Sequence, residues 1–479
     1  MDWTCRDMPR LWRYNLHYFD WMLDPRRAPE QIQLLTHDWL AHNPPVTPDA
    51  WDPYPLSLRV VNWIKYVLTT PSTPLATNDA WLTSLWSQCA WLQGNLEQHI
   101  RANHLFKNLK ALVFAGAFFD DANARTWLET GRRLLAEQLG EQILPDGGHF
   151  ERSPMYHAII TEDLLDLLAL GRAVTNLLQP HLQQLLAQKT AACLSFLADM
   201  SHPDGEISLF NDSAIGIAAT PERLFAYGGR LLNDKVAHAR PTSAEVLRLD
   251  SGYFGWQGAS DSWLVDCGPI SVDYQPGHAH CDLLSYELSF DGRRVVVDSG
   301  VFDYEPGSRR MRARGTAGHN TVMVDGQEQS EIWGTFRVGR RAQPVETRFS
   351  RTPRGVTLEG AHDGYRHLRG DVLHRRVAEY EIRGRLKVTD TLSGSSGHVM
   401  ENFVHLAPGL TARLHGRRVE IRADAGQSIA SIDVEPGPEL RLELGEYYPE
   451  FGRVEQTTVL RLRSEGVLPL HQQYTIERA

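Results

Sequence analysis

Cysteine is scarce in this 479-residue chain. The five residues present (Cys5, Cys89, Cys193, Cys267 and Cys281) are odd in number, scattered, and form no CxxC pair. A disulfide-built scaffold is therefore excluded, and reduced, buried thiols are expected. Long apolar runs are missing too: no segment approaches about 20 uninterrupted apolar residues, so no membrane span is expected. The opening stretch "MDWTCRDMPRLWRYNLHYFDWML" has no apolar core behind a basic head, so no export signal is read there and a cytoplasmic location is the default expectation, with the periplasm or exterior reached only by another route. Positive charge is not in excess. With 49 Lys and Arg against 59 Asp and Glu, the net charge of −10 argues against a broad nucleic-acid surface. It leaves room for an anionic substrate at a local basic cluster such as "SRRMRARG" (308–315). There is no low-complexity tract and no clear internal repeat.

What is present divides into two halves with different periods. The length exceeds what one hydrophobic core fills, and the composition, 42% hydrophobic and 23% charged, is that of an ordinary soluble protein. In "RTWLETGRRLLAEQLGEQIL", Leu128, Leu135, Leu139 and Ile143 fall on one helical face. Residues 161–200 repeat that pattern, with a break near Pro180. Such antiparallel helices predict a bundle, solenoid or toroid. Beyond about residue 240 the period becomes two. Leu386 and Val388 alternate with Lys387 and Thr389, and Leu440, Leu442 and Leu444 alternate with Arg441 and Glu443. Regular Gly and Pro turn signals complete the pattern of an antiparallel β-sandwich. The expected organisation is a helical domain over 1–240 and a sandwich over 241–479, with the boundary inside 239–256.

Chemistry-bearing residues cluster at a few places. "PGHAHCDLLSYEL" (276–288) spaces His278, His280 and Asp282 two apart, which on a strand would put all three on one face. Asp298 ends the apolar run Val295–Val297, and His319 precedes Thr321–Val324. His280, Asp298 and His319 form a two-histidine, one-carboxylate set suited to a divalent metal such as zinc; the plainer alternative is that they satisfy strand ends. In the helical half, Asn103 and His104 stand at a helix start, where such residues are also simple caps. The turn "LPDGGHFERSPMYHAII" gathers His149, Glu151, Arg152, Tyr156 and His157 before a helix, and Tyr156 taken alone reads more readily as a half-buried aromatic. The loop "HPDGEISLFNDSA" (202–214) has a similar style and a weaker claim. "LWRYNLHYFDW" and "WDPYPLSLRVVNWIKY" are dense in Trp, Tyr and Arg. Rings such as Trp51 and Tyr54 suit a carbohydrate groove or core packing about equally.

Taken in order, "LWRYNLHYFDW", "WDPYPLSLRVVNW", "NHLFKNLKAL", "GGHFERSPMYH", "GHAHCDLLSYEL", "VVVDSGVFDY" and "GHNTVMVDG" resemble the heparinase II/III family of polysaccharide lyases and the related alginate lyases. The resemblance runs from residue 11 to about residue 326 and thins beyond. It implies an (α/α) toroid followed by an antiparallel β-sandwich, in agreement with the change of period, and a bacterial source. It implies that Tyr156 is the catalytic tyrosine, that Asn103 or His104 neutralises the substrate carboxylate, and that His278 is a second acid/base. His280, Asp298 and His319 become ligands of a structural divalent metal, and Asp282 takes no direct role.

The implied reaction is β-elimination beside a uronic acid in an anionic polysaccharide, a glycosaminoglycan or a bacterial exopolysaccharide, leaving an unsaturated uronyl end. Glu151, Arg152, Arg314, Trp51 and Tyr54 are the expected substrate-binding residues, and Tyr156 would need cationic neighbours to act as a base. Two rival readings stand beside it. One is a glycan-binding protein of polysaccharide biosynthesis that has lost activity. The other is a toroid-fold glycoside hydrolase, which needs two opposed carboxylates, and no clear partner for Glu151 or Asp146 is evident.

Overall fold

The computed structural model describes residues 1–232, 243–424 and 426–479. The expected boundary between residues 240 and 241 lies outside the described residues. By internal contacts the chain forms two compact units, residues 1–142 with 163–190, and residues 143–162 with 191–479.

The first unit is helical. Its helices include Pro29–His42, Pro53–Thr69, Asp79–Gly94, Ala102–Phe118 and Ala122–Gln142. Proline opens several helices of the chain, among them Pro29–His42, Pro53–Thr69, Pro154–Ala173 and Pro180–Asp199, where a missing N–H costs nothing and the fixed φ suits the first turn. The break expected at Pro180 is such a start. In Ala122–Gln142 the buried residues are Ala124, Trp127, Gly131, Leu135, Gln138, Leu139 and Gln142, an i, i+3, i+4 stripe. Gly131 permits close helix packing, since a β-carbon there would lie 2.9 Å from the Val113 side chain.

The aromatic density near the N-terminus is core packing. Trp39 and Trp63 meet edge to face with centroids 5.5 Å apart, and Trp63 stacks on Trp81 at the same distance. Arg59 is fully buried over the Trp39 ring and donates to Gln88 Oε1 and to the carbonyls of His17 and Ala50. Every donor it uses is matched, which is what permits a guanidinium in such a place.

The second unit is dominated by antiparallel sheets. The strands Ser243–Arg248, Tyr253–Gly258, Ser262–Asp266, Tyr286–Phe290 and Arg293–Val296 form a five-stranded meander. An eight-stranded sheet includes Gly355–His362, Leu373–Glu381, Arg385–Ser393 and Leu470–Arg478, and a four-stranded sheet runs Glu439–Tyr447, Glu455–Val467, Gly397–His405, Val322–Val324. One core gathers residues from all three, including Trp263, Tyr286, Val388, Ile432 and Leu460. The predicted alternation holds along Arg385–Ser393, where every second residue is buried. It weakens along Glu439–Tyr447: Leu440 and Leu442 are half-buried and Leu444 is 83% exposed.

A buried ionic knot ties this sheet to two loops that carry the site. The Arg376 guanidinium pairs with Asp390 through Nε at 2.8 Å and Nη2 at 2.9 Å. Its Nη1 donates to the carbonyls of Leu284 (2.7 Å) and Asn320 (2.6 Å). Asp390 also accepts from Asn402 Nδ2 and from His374 Nε2, whose ring in turn accepts from His362. Burial raises the Asp390 carboxyl, but Arg376 and the hydrogen bonds outweigh it and hold the group well below the usual carboxylate range. A depressed folded value means this contribution is complete above about pH 4 and is lost as the pH falls below that. Asp390→Ala should therefore cost about 3–5 kcal/mol in urea unfolding at neutral pH, because it leaves the Arg376 charge buried and unpaired. The variant should also lose less stability than the parent on acidification; equal acid sensitivity would contradict this account.

Candidate active site

The stretch holding His278, His280 and Asp282 is a loop that enters the strand Tyr286–Phe290, not a strand itself. Leu284 has a φ of 66°, and this turn reverses the chain before the strand begins. His280 and Asp282 are buried, and the His278 side chain keeps 12% exposure.

What gathers the loop is Asp212, in the segment 202–214, whose claim from sequence alone is weaker. Its Oδ2 lies 2.9 Å from His278 Nδ1 and its Oδ1 lies 2.7 Å from His280 Nε2. Arg310 pairs with both oxygens. Burial raises the Asp212 carboxyl, but the Arg310 charge and the two imidazole contacts hold it well below its ordinary value. Neighbouring Asn211 adopts a left-handed φ of 56°, which asparagine tolerates. Its side chain accepts the His280 N–H (3.0 Å), and its own N–H donates to Asp282 (3.0 Å).

Tyr156 sits in the first turn of Pro154–Ala173, where Ser153 Oγ accepts its backbone N–H. Its ring faces the His278 ring at a centroid distance of 4.1 Å and 31° between planes. The hydroxyl lies 3.1 Å from that of Tyr304. Burial first, then Tyr304, Asp212 and Glu151, pushes the Tyr156 phenol well above its usual range. A cationic neighbour is present in Arg310, whose guanidinium packs over the Tyr304 ring, but burial, the second phenol and the carboxylates outweigh it, so the resting Tyr156 is a proton donor. Glu151 is buried between two imidazoles, 3.5 Å from His149 Nδ1 and 3.9 Å from His278 Nε2.

A second cluster lies on the same loops. Ligand atoms of His280, Asp282 and His319 fall within 4.8 Å of one another, all buried. His280 Nδ1 and His319 Nε2 are buried without a hydrogen-bond partner, the signature of nitrogens waiting for a ligand. Burial pulls His280 down to about 3, into the neutral form that binds metals, whereas at His319 burial is outweighed by Asp298 and Asp282, which raise the ring to about 9, so a metal there would displace a proton. Two imidazoles and a carboxylate fit a divalent ion such as zinc. The carboxylate differs from the one expected. Asp282, left without a direct role, completes the cluster, while Asp298 lies 2.7 Å from His319 Nδ1 and orients that ring from behind.

Several expected substrate-binding residues are structural. Arg314 is fully buried, its guanidinium donating to the carbonyls of Ala279 and Gly334. Arg152 donates to the carbonyls of Ser251 and Asp250. In the helical unit, Trp51 is 4% exposed and donates to the Asn43 carbonyl. Half-buried Tyr54 lies with its ring tilted 37° against His104 at 4.3 Å, and His104 Nδ1 lies 2.9 Å from Glu97 Oε1. Asn103 is buried at the start of Ala102–Phe118, just after Arg101 and Ala102, both at positive φ.

Asp212, Tyr304, Arg310 and the role of Asp282 escaped the sequence reading. A signal existed for Arg310: in the helix Ser308–Arg314 it shares the inward face with Arg314, four residues on, while Arg309 and Arg312 stay exposed. Asp212 carried none, because its partners lie 66, 68 and 98 positions away in the chain.

Two family models match, the heparinase II/III N-terminus over residues 18–227 and the heparinase II/III-like C-terminal domain over residues 240–476. A heparin-sulfate lyase of Pedobacter heparinus is 25% identical over 354 residues, 66% of this chain and 52% of that protein. One from Bacteroides stercoris is 24% identical over 315 residues, 62% of this chain and 44% of its own length. This chain thus spans about half the length of those lyases. FtsZ-localized protein C of Caulobacter vibrioides is 27% identical over 403 residues, 80% of this chain and 65% of that protein. Among solved structures, a heparinase III superposes with a TM-score of 0.76 at 18% identity, covering 98% of this chain and 76% of that one. That likeness shows the shared fold, an (α/α) toroid followed by an antiparallel β-sandwich. With the two family models together running from residue 18 to residue 476, the chain belongs to the heparinase II/III family.

Proposed function

We propose that this chain is a polysaccharide lyase that cleaves a uronic-acid-containing glycan, of the glycosaminoglycan or bacterial exopolysaccharide class, by β-elimination. The observation that carries the reading is the Tyr156–His278 pair, a phenol and an imidazole with ring centroids 4.1 Å apart, one backed by Tyr304 and the other by Asp212. The relatives named heparin-sulfate lyases support the substrate class.

The difficulty in such a reaction is removing the weakly acidic proton on the carbon next to the uronic carboxylate. His278, whose ring faces Tyr156 and whose Nδ1 is held by Asp212, is assigned as the base. The C–H electron pair forms the ring double bond, and the bond from the neighbouring carbon to the glycosidic oxygen breaks. Tyr156, which retains its proton at rest, delivers it to that leaving oxygen. Asn103 and His104 are assigned, from their place in the family motif, to offset the charge that develops on the carboxylate. His280, Asp282 and His319 would hold a divalent ion such as zinc, with Asp298 orienting His319. Its contribution would be to stiffen the loop that carries His278.

Tyr156→Phe and His278→Ala should each lower the rate of appearance of ultraviolet-absorbing unsaturated product by about 10²–10⁴-fold on a responsive uronic-acid polymer. A panel of heparan, chondroitin, hyaluronan, alginate and glucuronan identifies that polymer. If neither change slows product formation, the assignment is wrong.

For the metal, zinc at a hundredfold excess over its dissociation constant should add about 2.7 kcal/mol of stability, read as a raised melting temperature. His280→Ala should abolish the shift. Loss of activity on chelation with an unchanged melting temperature would refute the structural role.

A second reading is glycan binding without cleavage. FtsZ-localized protein C matches more of this chain than the heparin-sulfate lyases do, and its name states a location and no reaction. Glycan binding with no unsaturated product across the panel would support it.

A further inference from the structure

We propose that Asp212, clamped by Arg310, is the positioning residue that fixes opposite tautomers on His278 and His280, making one an available base and the other a metal-facing ligand. This rests on the reading of His278 as the base.

Four nitrogens reach the two Asp212 oxygens: Arg310 Nη1 and Nη2, His278 Nδ1, and His280 Nε2. The residue is fully buried, so no water competes for them. Arg310 has no acceptor to offer, and an ionised carboxylate has no donor. Each imidazole must therefore present an N–H to Asp212. On His278 the proton is then on Nδ1, and the lone pair is left on Nε2. The nearest carboxylate to that nitrogen is Glu151 at 3.9 Å, beyond hydrogen-bond range. On His280 the proton is on Nε2, and the lone pair is left on Nδ1, the buried nitrogen without a partner. One carboxylate thereby assigns two rings to two tasks, and the choice of nitrogen is reversed because His278 meets it through Nδ1 and His280 through Nε2.

The clamp has little freedom to turn. The Asp212 N–H donates to the His278 carbonyl at 3.0 Å, and Ser153 Oγ donates to the Asp212 carbonyl at 2.7 Å. Ser153 also caps the helix bearing Tyr156, so acid and base are referenced to one residue. Arg310 is anchored by the Thr335 carbonyl and packs over the rings of Tyr304 and Phe336.

The first test uses the wild-type chain, with ¹⁵N-labelled histidine observed slightly above neutral pH. The signals that vanish in His278→Gln should report a protonated Nδ1 and a bare Nε2. A bare Nδ1, or a doubly protonated ring, would overturn the proposal. The second uses Asp212→Asn, whose amide has one acceptor oxygen for two imidazoles. In a folded variant kcat should fall about 10²–10⁴-fold while KM moves less than about threefold, since substrate contacts are untouched. A folded variant with kcat within about threefold of the parent also overturns it. The bare-Nε2 tautomer in a chain that forms no unsaturated product upholds the positioning claim and removes the lyase reading instead. Glycan cleavage with the other tautomer does the reverse.

Discussion

A carboxylate buried out of reach of water has to be ringed by donors, and the arrangement around Asp212 follows from that need. Its two oxygens draw Arg310 from one helix and His278 and His280 from one loop, over sequence separations of 66 to 98 residues. Removing any donor would leave charge unmatched where solvation cannot help. The energetic demand of one acid is thus what brings an imidazole to a phenol. The same demand leaves the opposite nitrogen of His280 buried without a hydrogen-bond partner.

The second support is the Arg376–Asp390 knot. Arg376 reaches from a sheet strand to the carbonyls of Leu284 and Asn320, residues just beyond Asp282 and just after His319. Loops carry chemistry well only when a rigid scaffold holds them. Here the scaffold contact is made to backbone carbonyls, so it constrains the path of both loops without occupying the side chains that would bind substrate or metal. Gly300 serves the same end. At φ 70° it passes 2.3 Å, as measured from a notional β-carbon, from the Tyr448 carbonyl, and leads the chain from Asp298 to Tyr304.

Much of this was legible from the residues in order. The exchange of a 3.6 period for a period of two marked the change from helices to sheets, because each pattern buries an apolar face in only one kind of element. The pairing of His278 with Tyr156, and of His280 with His319, was anticipated from the motif series. The failures share a cause. Trp51, Arg152 and Arg314 are residue types that serve equally in a groove and in a core, and only their partners tell the two apart. All three are committed to backbone carbonyls.

By itself the sequence determined the element types, the scarcity of crosslinks and the residues with chemistry to offer, since these depend on composition and local spacing. Tertiary structure decided which carboxylate meets which imidazole. Along the chain Asp298 was the expected ligand and Asp282 had no direct role; in the fold Asp282 lies with His280 and His319, and Asp298 sits against His319 Nδ1. Asp212 had no local pattern at all. Hydrogen bonds act over about 3 Å and are indifferent to distance along the chain, so a residue whose function is to accept them from remote segments is recognisable only once the fold has brought those segments together.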